Sequence, residues 1–232
     1  MTTNELIYEV YEGLNINSDD TNIDERLILH KIASKRALWV SNEMNKRFRN
    51  IPPALIQDLG CLELEETSSE ECCSSQLDCY FMRTVLELPM PISLHRDLLI
   101  TRVGSKDKKE KEYTLVSYER IPFVGNGRFN QNGIYAFWLN NRIYLMSKNQ
   151  SIILFEGINI MGVFEAPHEA VNLITCDGLP SWTYDSKYPL YGKLWEYIRP
   201  QVEQDLMKKM LIPQDNVNDG TTKENKGQAQ PQ

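Results

Sequence analysis

The sequence predicts an α+β fold, with a helical bundle formed by N- and C-terminal helices and an antiparallel β-rich domain inserted between them. Three observations predict it. Apolar residues recur at steps of three and four near both ends of the chain. The period changes to two from Tyr80 onward. Asn140-Asn141 lies between two apolar runs, where asparagine tolerates the positive φ of a two-residue hairpin turn. The resulting division is an N-terminal helical part at 1–66, an antiparallel β-domain at 80–166, a C-terminal helical part completing the bundle at 167–213, and a disordered tail at 214–232.

Thr2 followed by Glu5 has the spacing of a capping box for a first helix, which Leu6, Ile7, Val10 and Leu14 continue. Gly13 weakens that helix, and 15–22 is a polar connection. Asp19, Asp20 or Thr21 then caps a second helix, with Asp24 and Glu25 near its positive end. Its expected apolar stripe is Ile23, Leu27, His30, Ala33 or Ser34, Ala37, Val40, Met44 and Phe48, and Pro52-Pro53 ends it. A helix of about 25 residues would be about 37 Å long, a strut more than a compact element.

The segment 54–66 reads as a helical turn followed by an extended Cys61-Leu62-Glu63-Leu64-Glu65, and 67–78 as a loop. Strands are expected within 81–88, until Pro89 and Pro91 interrupt, and at 98–103 and 113–118, with a charged tip at 104–112. The hairpin at 134–147 has a definite register: Leu139 opposite Arg142, Trp138 opposite Ile143, Phe137 opposite Tyr144, Ala136 opposite Leu145, Tyr135 opposite Met146. One face carries Ile134, Ala136, Trp138, Ile143 and Leu145. The other carries Tyr135, Phe137, Leu139, Tyr144 and Met146. A hairpin with one face in water alternates apolar and polar residues. This one is either buried on both sides within its own fold or covered by another chain on one side. The second alternative makes Tyr135, Phe137, Leu139, Tyr144 and Met146 the candidate interface. A third strand within 152–164 is expected to complete a meander. A last helix is expected over 189–211, with Leu190, Leu194, Ile198, Val202, Leu206 and Met210 on one stripe, and Pro200 inside it predicts a kink near Glu196 or two abutting segments.

The formal net charge is -7 and the pI about 5.1, which argues against a basic face gripping nucleic acid. An acidic wall would repel phosphates and let a strand slide past. No run of about 18 apolar residues occurs, so no membrane span is expected. The N-terminus has no basic region followed by an apolar stretch, so no signal peptide is expected either. The five cysteines, Cys61, Cys72, Cys73, Cys79 and Cys176, are therefore expected as thiols of a reducing cytoplasm.

Catalytic and metal motifs are not apparent. The cysteines lack the two spaced pairs of a structural zinc site. His30, His95 and His168 are scattered, and His30 reads as a core histidine of the second helix. Gly125-Asn126-Gly127-Arg128-Phe129 lacks the third glycine of a dinucleotide loop. No cofactor is expected. Glu63-Leu64-Glu65-Glu66 with Glu70-Glu71 is a solvated acidic segment or a docking surface for a basic neighbour.

Taken in order, several segments resemble the head–tail connector, or ring, structural proteins of crAss-like short-tailed bacteriophages. They begin with Ser18-Asp19-Asp20 before Ile23-Asp24-Glu25-Arg26, and Cys61-Leu62-Glu63-Leu64-Glu65-Glu66. Arg83-Thr84 ahead of Leu88-Pro89-Met90-Pro91 follows, then Ile134-Tyr135-Ala136-Phe137 ahead of Ile143-Tyr144-Leu145. Gly162-Val163-Phe164-Glu165 with Pro167, Tyr188-Pro189-Leu190, and Gln204-Asp205-Leu206 before Ile212-Pro213 complete the series, which spans 5–213. The resemblance implies a non-enzymatic protein of the virion neck, assembled in the bacterial host cytoplasm. It implies a ring, commonly twelve-fold, between portal and tail, with portal and other neck or tail proteins as partners. Phage DNA would pass through the lumen without sequence-specific binding. The competing reading is a host-directed protein-binding module, and a small hydrolase or metal enzyme has little support.

Overall fold

The computed structural model describes residues 1–14, 23–46, 51–67, 79–95, 97–107, 112–125, 127 and 130–211. The proposed caps at Asp19, Asp20 and Thr21, Phe48, Glu70-Glu71, Cys72-Cys73, most of the Gly125–Phe129 loop and the tail at 214–232 lie outside them.

Seven strands form one sheet: β1 (Gln57–Thr67), β2 (Tyr80–Thr84), β3 (Ile100–Ser105), β4 (Thr114–Leu115), β5 (Tyr135–Leu139), β6 (Arg142–Ser147) and β7 (Gly157–Gly162). Their spatial order is β3-β7-β1-β2-β6-β5-β4. Only β4 and β5 pair in parallel. The two ends of that order meet. Gly104 bridges Glu112, and the Tyr113 amide donates to the Val103 carbonyl at 2.7 Å. The sheet is thus nearly closed on itself, which leaves little edge for unwanted pairing.

Among the described residues three α-helices accompany it: α1 (Thr3–Gly13), α2 (Glu25–Lys46) and α3 (Gly192–Leu211). The capping box predicted for α1 is present: the Glu5 amide donates to Thr2 Oγ1, and the Thr2 amide donates to Glu5 Oε2 at 2.8 Å. The predicted stripe of α3 is buried at Leu194, Ile198, Val202 and Leu206, and the helix runs on through Pro200. Helix and sheet share one core, in which Leu6, Ile32 and Val202 belong to the same cluster as Leu62, Leu145 and Ile158.

A helical bundle with an inserted β-domain is not the architecture. The body of the molecule is the seven-stranded, nearly closed sheet; a 3₁₀ turn at Pro53–Leu55 does precede the extended Cys61–Glu65, as expected, but the strand there, β1, is the longest of the sheet and already begins at Gln57. The reason is local. Gly60 adopts φ +77°, and the β1–β7 register shifts between Asp58 and Cys61. Such a bulge breaks the period of two. Asp58 holds it by accepting from the Gly60 amide and from Asn159 Nδ2, both at 2.9 Å. Nor does β7 complete a meander: it lies between β3 and β1, and β6 pairs with β2 instead.

The stripe of α2 also differs from expectation. Ile28, Leu29, Ile32, Ala33, Arg36, Val40 and Met44 are buried, whereas His30 is exposed and Leu27 only partly buried. An arginine at the centre of the inward face hides the true periodicity.

Candidate functional site

The hairpin β5–β6 has the register expected of it, from Tyr135 opposite Met146 to Leu139 opposite Arg142. Asn140 and Asn141 take φ values of 49° and 57°, the left-handed pair that a tight hairpin turn demands. The Asn141 carbonyl accepts from the Leu88 amide at 2.7 Å, and Arg142 Nη1 donates to the Thr84 and Val85 carbonyls at 2.9 and 2.7 Å. Glu65 then ties two arginines together, with Oε1 at 2.6 Å from Arg83 Nε and 3.4 Å from Arg142 Nη1. The carboxylate of Glu65 is thus engaged within the chain, while Glu63 and Glu66 are exposed.

Both faces of the hairpin are covered by the chain itself. Ala136, Ile143 and Leu145 enter the main core. Tyr135, Phe137, Tyr144 and Met146 build a second, smaller core with Phe81 and Ile121. Phe137 stacks on Tyr144 with ring centroids 5.3 Å apart, and Tyr135 Oη donates to the Asn130 carbonyl at 2.9 Å. Of the five candidate interface residues, four are at most 7% exposed, and Leu139 is partly buried at the rim. Of the two alternatives for the greasy hairpin, burial within its own fold is the one seen. The turn 118–123 supplies the cover, a short 3₁₀ segment with no apolar periodicity to announce it.

The exposed apolar surface lies elsewhere. Tyr8 on α1, Leu38 on α2 and Tyr197 on α3 are 74%, 59% and 59% exposed, so each helix presents an aromatic or aliphatic side chain to solvent. A second set sits in connections around the sheet: Phe123, Leu154, Ile174 and Leu179. None of these was singled out in the sequence: the three on helices lie off the apolar stripes, and the others sit in short connections that carry no periodic signal.

Between helices and sheet lies a fully buried cation. Arg36 donates from Nε to the Pro189 carbonyl at 2.7 Å, from Nη1 to the Phe164 carbonyl at 2.7 Å, and from Nη2 to the Leu55 carbonyl at 3.1 Å. Its guanidinium carbon lies 6.0 Å from the centroid of the Tyr188 ring. Burial lowers its pKa to about 10, still far above neutrality. The same burial raises the Tyr188 hydroxyl to about 12, against the opposing pull of the cation.

The cysteines differ from the all-thiol expectation: Cys61 and Cys176 are joined in a disulfide, and Cys79 is outside it. The fold brings β1 and the segment after the turn at Pro167–Asn172 side by side, a proximity invisible across 115 residues of sequence. No group of three or more His, Cys, Asp or Glu side chains suited to a metal occurs among the described residues. Burial, and to a smaller extent the charge of His30, lowers the His168 pKa. No described helix is long and apolar enough to cross a membrane.

The arrangement is that of a packed scaffold with apolar outcrops. The family described as phage tail ring protein 2 matches residues 5–228. "Ring protein 2" of Bacteroides phage crAss001 is 25% identical over 224 residues, covering 94% of this chain and 96% of that protein. The chain therefore belongs to the phage tail ring protein 2 family, the structural ring proteins of crAss-like bacteriophages.

Proposed function

We propose that this chain closes a ring of identical subunits in the virion neck, between portal and tail, with the genome's exit path through its lumen. The carrying observation is the family match along nearly the whole chain, over residues 5–228. Physical support comes from the surface. A cyclic ring joins copies head to tail, so each subunit needs two different patches. The helix side offers Tyr8, Leu38 and Tyr197; the sheet connections offer Phe123, Leu154, Ile174 and Leu179. Leu139 is the member of the original interface set with area left to contribute. A twelve-fold ring, contacts to portal and neighbouring neck proteins, and assembly in the host cytoplasm belong to the same reading. The charge of -7 fits a wall past which DNA moves without being held.

Imaging of intact virions tests the assignment: density for this chain as a ring between portal and tail is expected. Its placement in the capsid shell or tail fibres would overturn it. In parallel, Leu38→Glu with Tyr197→Glu is expected to leave the chain folded by circular dichroism and to prevent ring incorporation. Normal incorporation would remove the helix face from the contact.

A further inference from the structure

We infer that Cys61 and Cys176 form a redox-closed staple, open as two thiols while the chain is in a reducing compartment and closed when it leaves. The pairing does not depend on the ring assignment.

The backbone brings the two cysteines together independently of the bond. The Cys176 amide donates to the Cys61 carbonyl at 2.9 Å, and the Cα atoms are 5.4 Å apart. The segment bearing Cys176 is itself a closed hairpin. Ile174 bridges Pro180, the Thr175 amide donates to the Leu179 carbonyl at 2.8 Å, and Gly178 turns at φ +75°. Ser181 anchors its base, donating from Oγ to the Leu59 carbonyl at 2.7 Å. Contacts that involve neither sulfur thus also hold the two cysteines side by side.

Space is reserved for them. A Cβ at Gly157 would stand 2.6 Å from Cys176 Sγ and 2.7 Å from Cys61 Sγ, so the strand facing the pair carries a residue with no side chain. The neighbouring strand makes a similar allowance: a Cβ at Gly60 would meet Thr175 Cγ2 at 3.0 Å. The hairpin so pinned displays Ile174 and Leu179, 58% and 65% exposed. Closing the staple fixes an apolar outcrop against β1 and removes freedom from the unfolded chain.

The oxidant is a low-molecular-weight disulfide. One cysteine thiolate attacks it and forms a mixed disulfide, expelling one small thiolate. The second cysteine then attacks the protein sulfur of that mixed disulfide and expels the other. Two electrons pass to the small disulfide, which becomes two thiols on taking up the two protons released by the cysteines.

The full chain is equilibrated with oxidised or reduced glutathione, alkylated with iodoacetamide, digested without reductant and examined by mass spectrometry. A peptide joining Cys61 to Cys176 is expected after oxidation. Reduction with a phosphine is expected to lower Tm by roughly 5–10 °C, and Cys176→Ser to be insensitive to reductant. Full alkylation of both cysteines after oxidation, or an unchanged Tm on reduction, overturns the staple; both readings use the wild-type chain and survive a variant that fails to fold. Acid-quenched infected cells and released particles are alkylated in parallel to test the switch. Thiols in the first and the bond in the second are expected. Equal oxidation in both overturns the redox dependence.

Discussion

Replacing Arg36 tests what joins the helices to the sheet. Its three donors satisfy carbonyls from three separate places, Leu55 before β1, Phe164 after β7 and Pro189 before α3. Arg36→Met keeps much of the buried volume and removes every donor. Hydrogen bonds to a charged group contribute about 1.5–3 kcal/mol each, while returning a guanidinium to water recovers several kcal/mol of desolvation. The net expectation is a loss of about 2–4 kcal/mol, since buried carbonyls left without donors cost roughly 1–3 kcal/mol apiece. Arg36→Lys separates shape from charge. An ammonium is a compact point charge and cannot span three carbonyls held by a planar fork, so lysine is expected to restore less than half of the loss. Urea unfolding with an unchanged slope measures both variants. A methionine variant as stable as wild type within about 0.5 kcal/mol, or full restoration by lysine, would refute the clamp; differences of that size fall within the noise of ordinary surface substitutions.

Tyr188 keeps its proton in the folded state until about pH 12, whereas the unfolded side chain ionises near pH 10, so its contribution is complete below pH 10 and is lost as pH rises toward 12. Stability measured across that window should fall less steeply in Tyr188→Phe, and an identical slope in both proteins would contradict the assignment. At the hairpin turn, Asn140→Val or Asn141→Val forces a β-branched residue to positive φ and is expected to cost about 1–3 kcal/mol each, while Asn→Gly at either site stays near wild type. Thermal unfolding distinguishes the two outcomes, and a tolerated valine would show that the turn has another conformation.

Several elements were legible from residues alone because local chemistry decides them. The Thr2–Glu5 capping box is a contact across three residues. The Asn140-Asn141 turn needs only positive φ, and with it came the whole β5–β6 register. The stripe of α3 follows from helical spacing that Pro200 does not erase. The family resemblance, too, rested on short segments in order, and the match over 5–228 agrees with it.

Tertiary structure decided the rest, for a physical reason in each case. Strand order depends on pairings between distant segments, so β7 joining β1 and β3 was unreadable where a meander was the local choice. Gly60's bulge hid the first residues of β1, ahead of the extended Cys61–Glu65, by interrupting the alternation. Arg36 belongs inside only because three carbonyls from remote segments converge on it, a burial that sequence alone argues against. Whether an apolar hairpin face is surface or core depends on what folds over it, and here a turn some twelve or more residues upstream does. Local preferences determined the elements themselves; the closing of the sheet determined which of their faces remained for other molecules to meet.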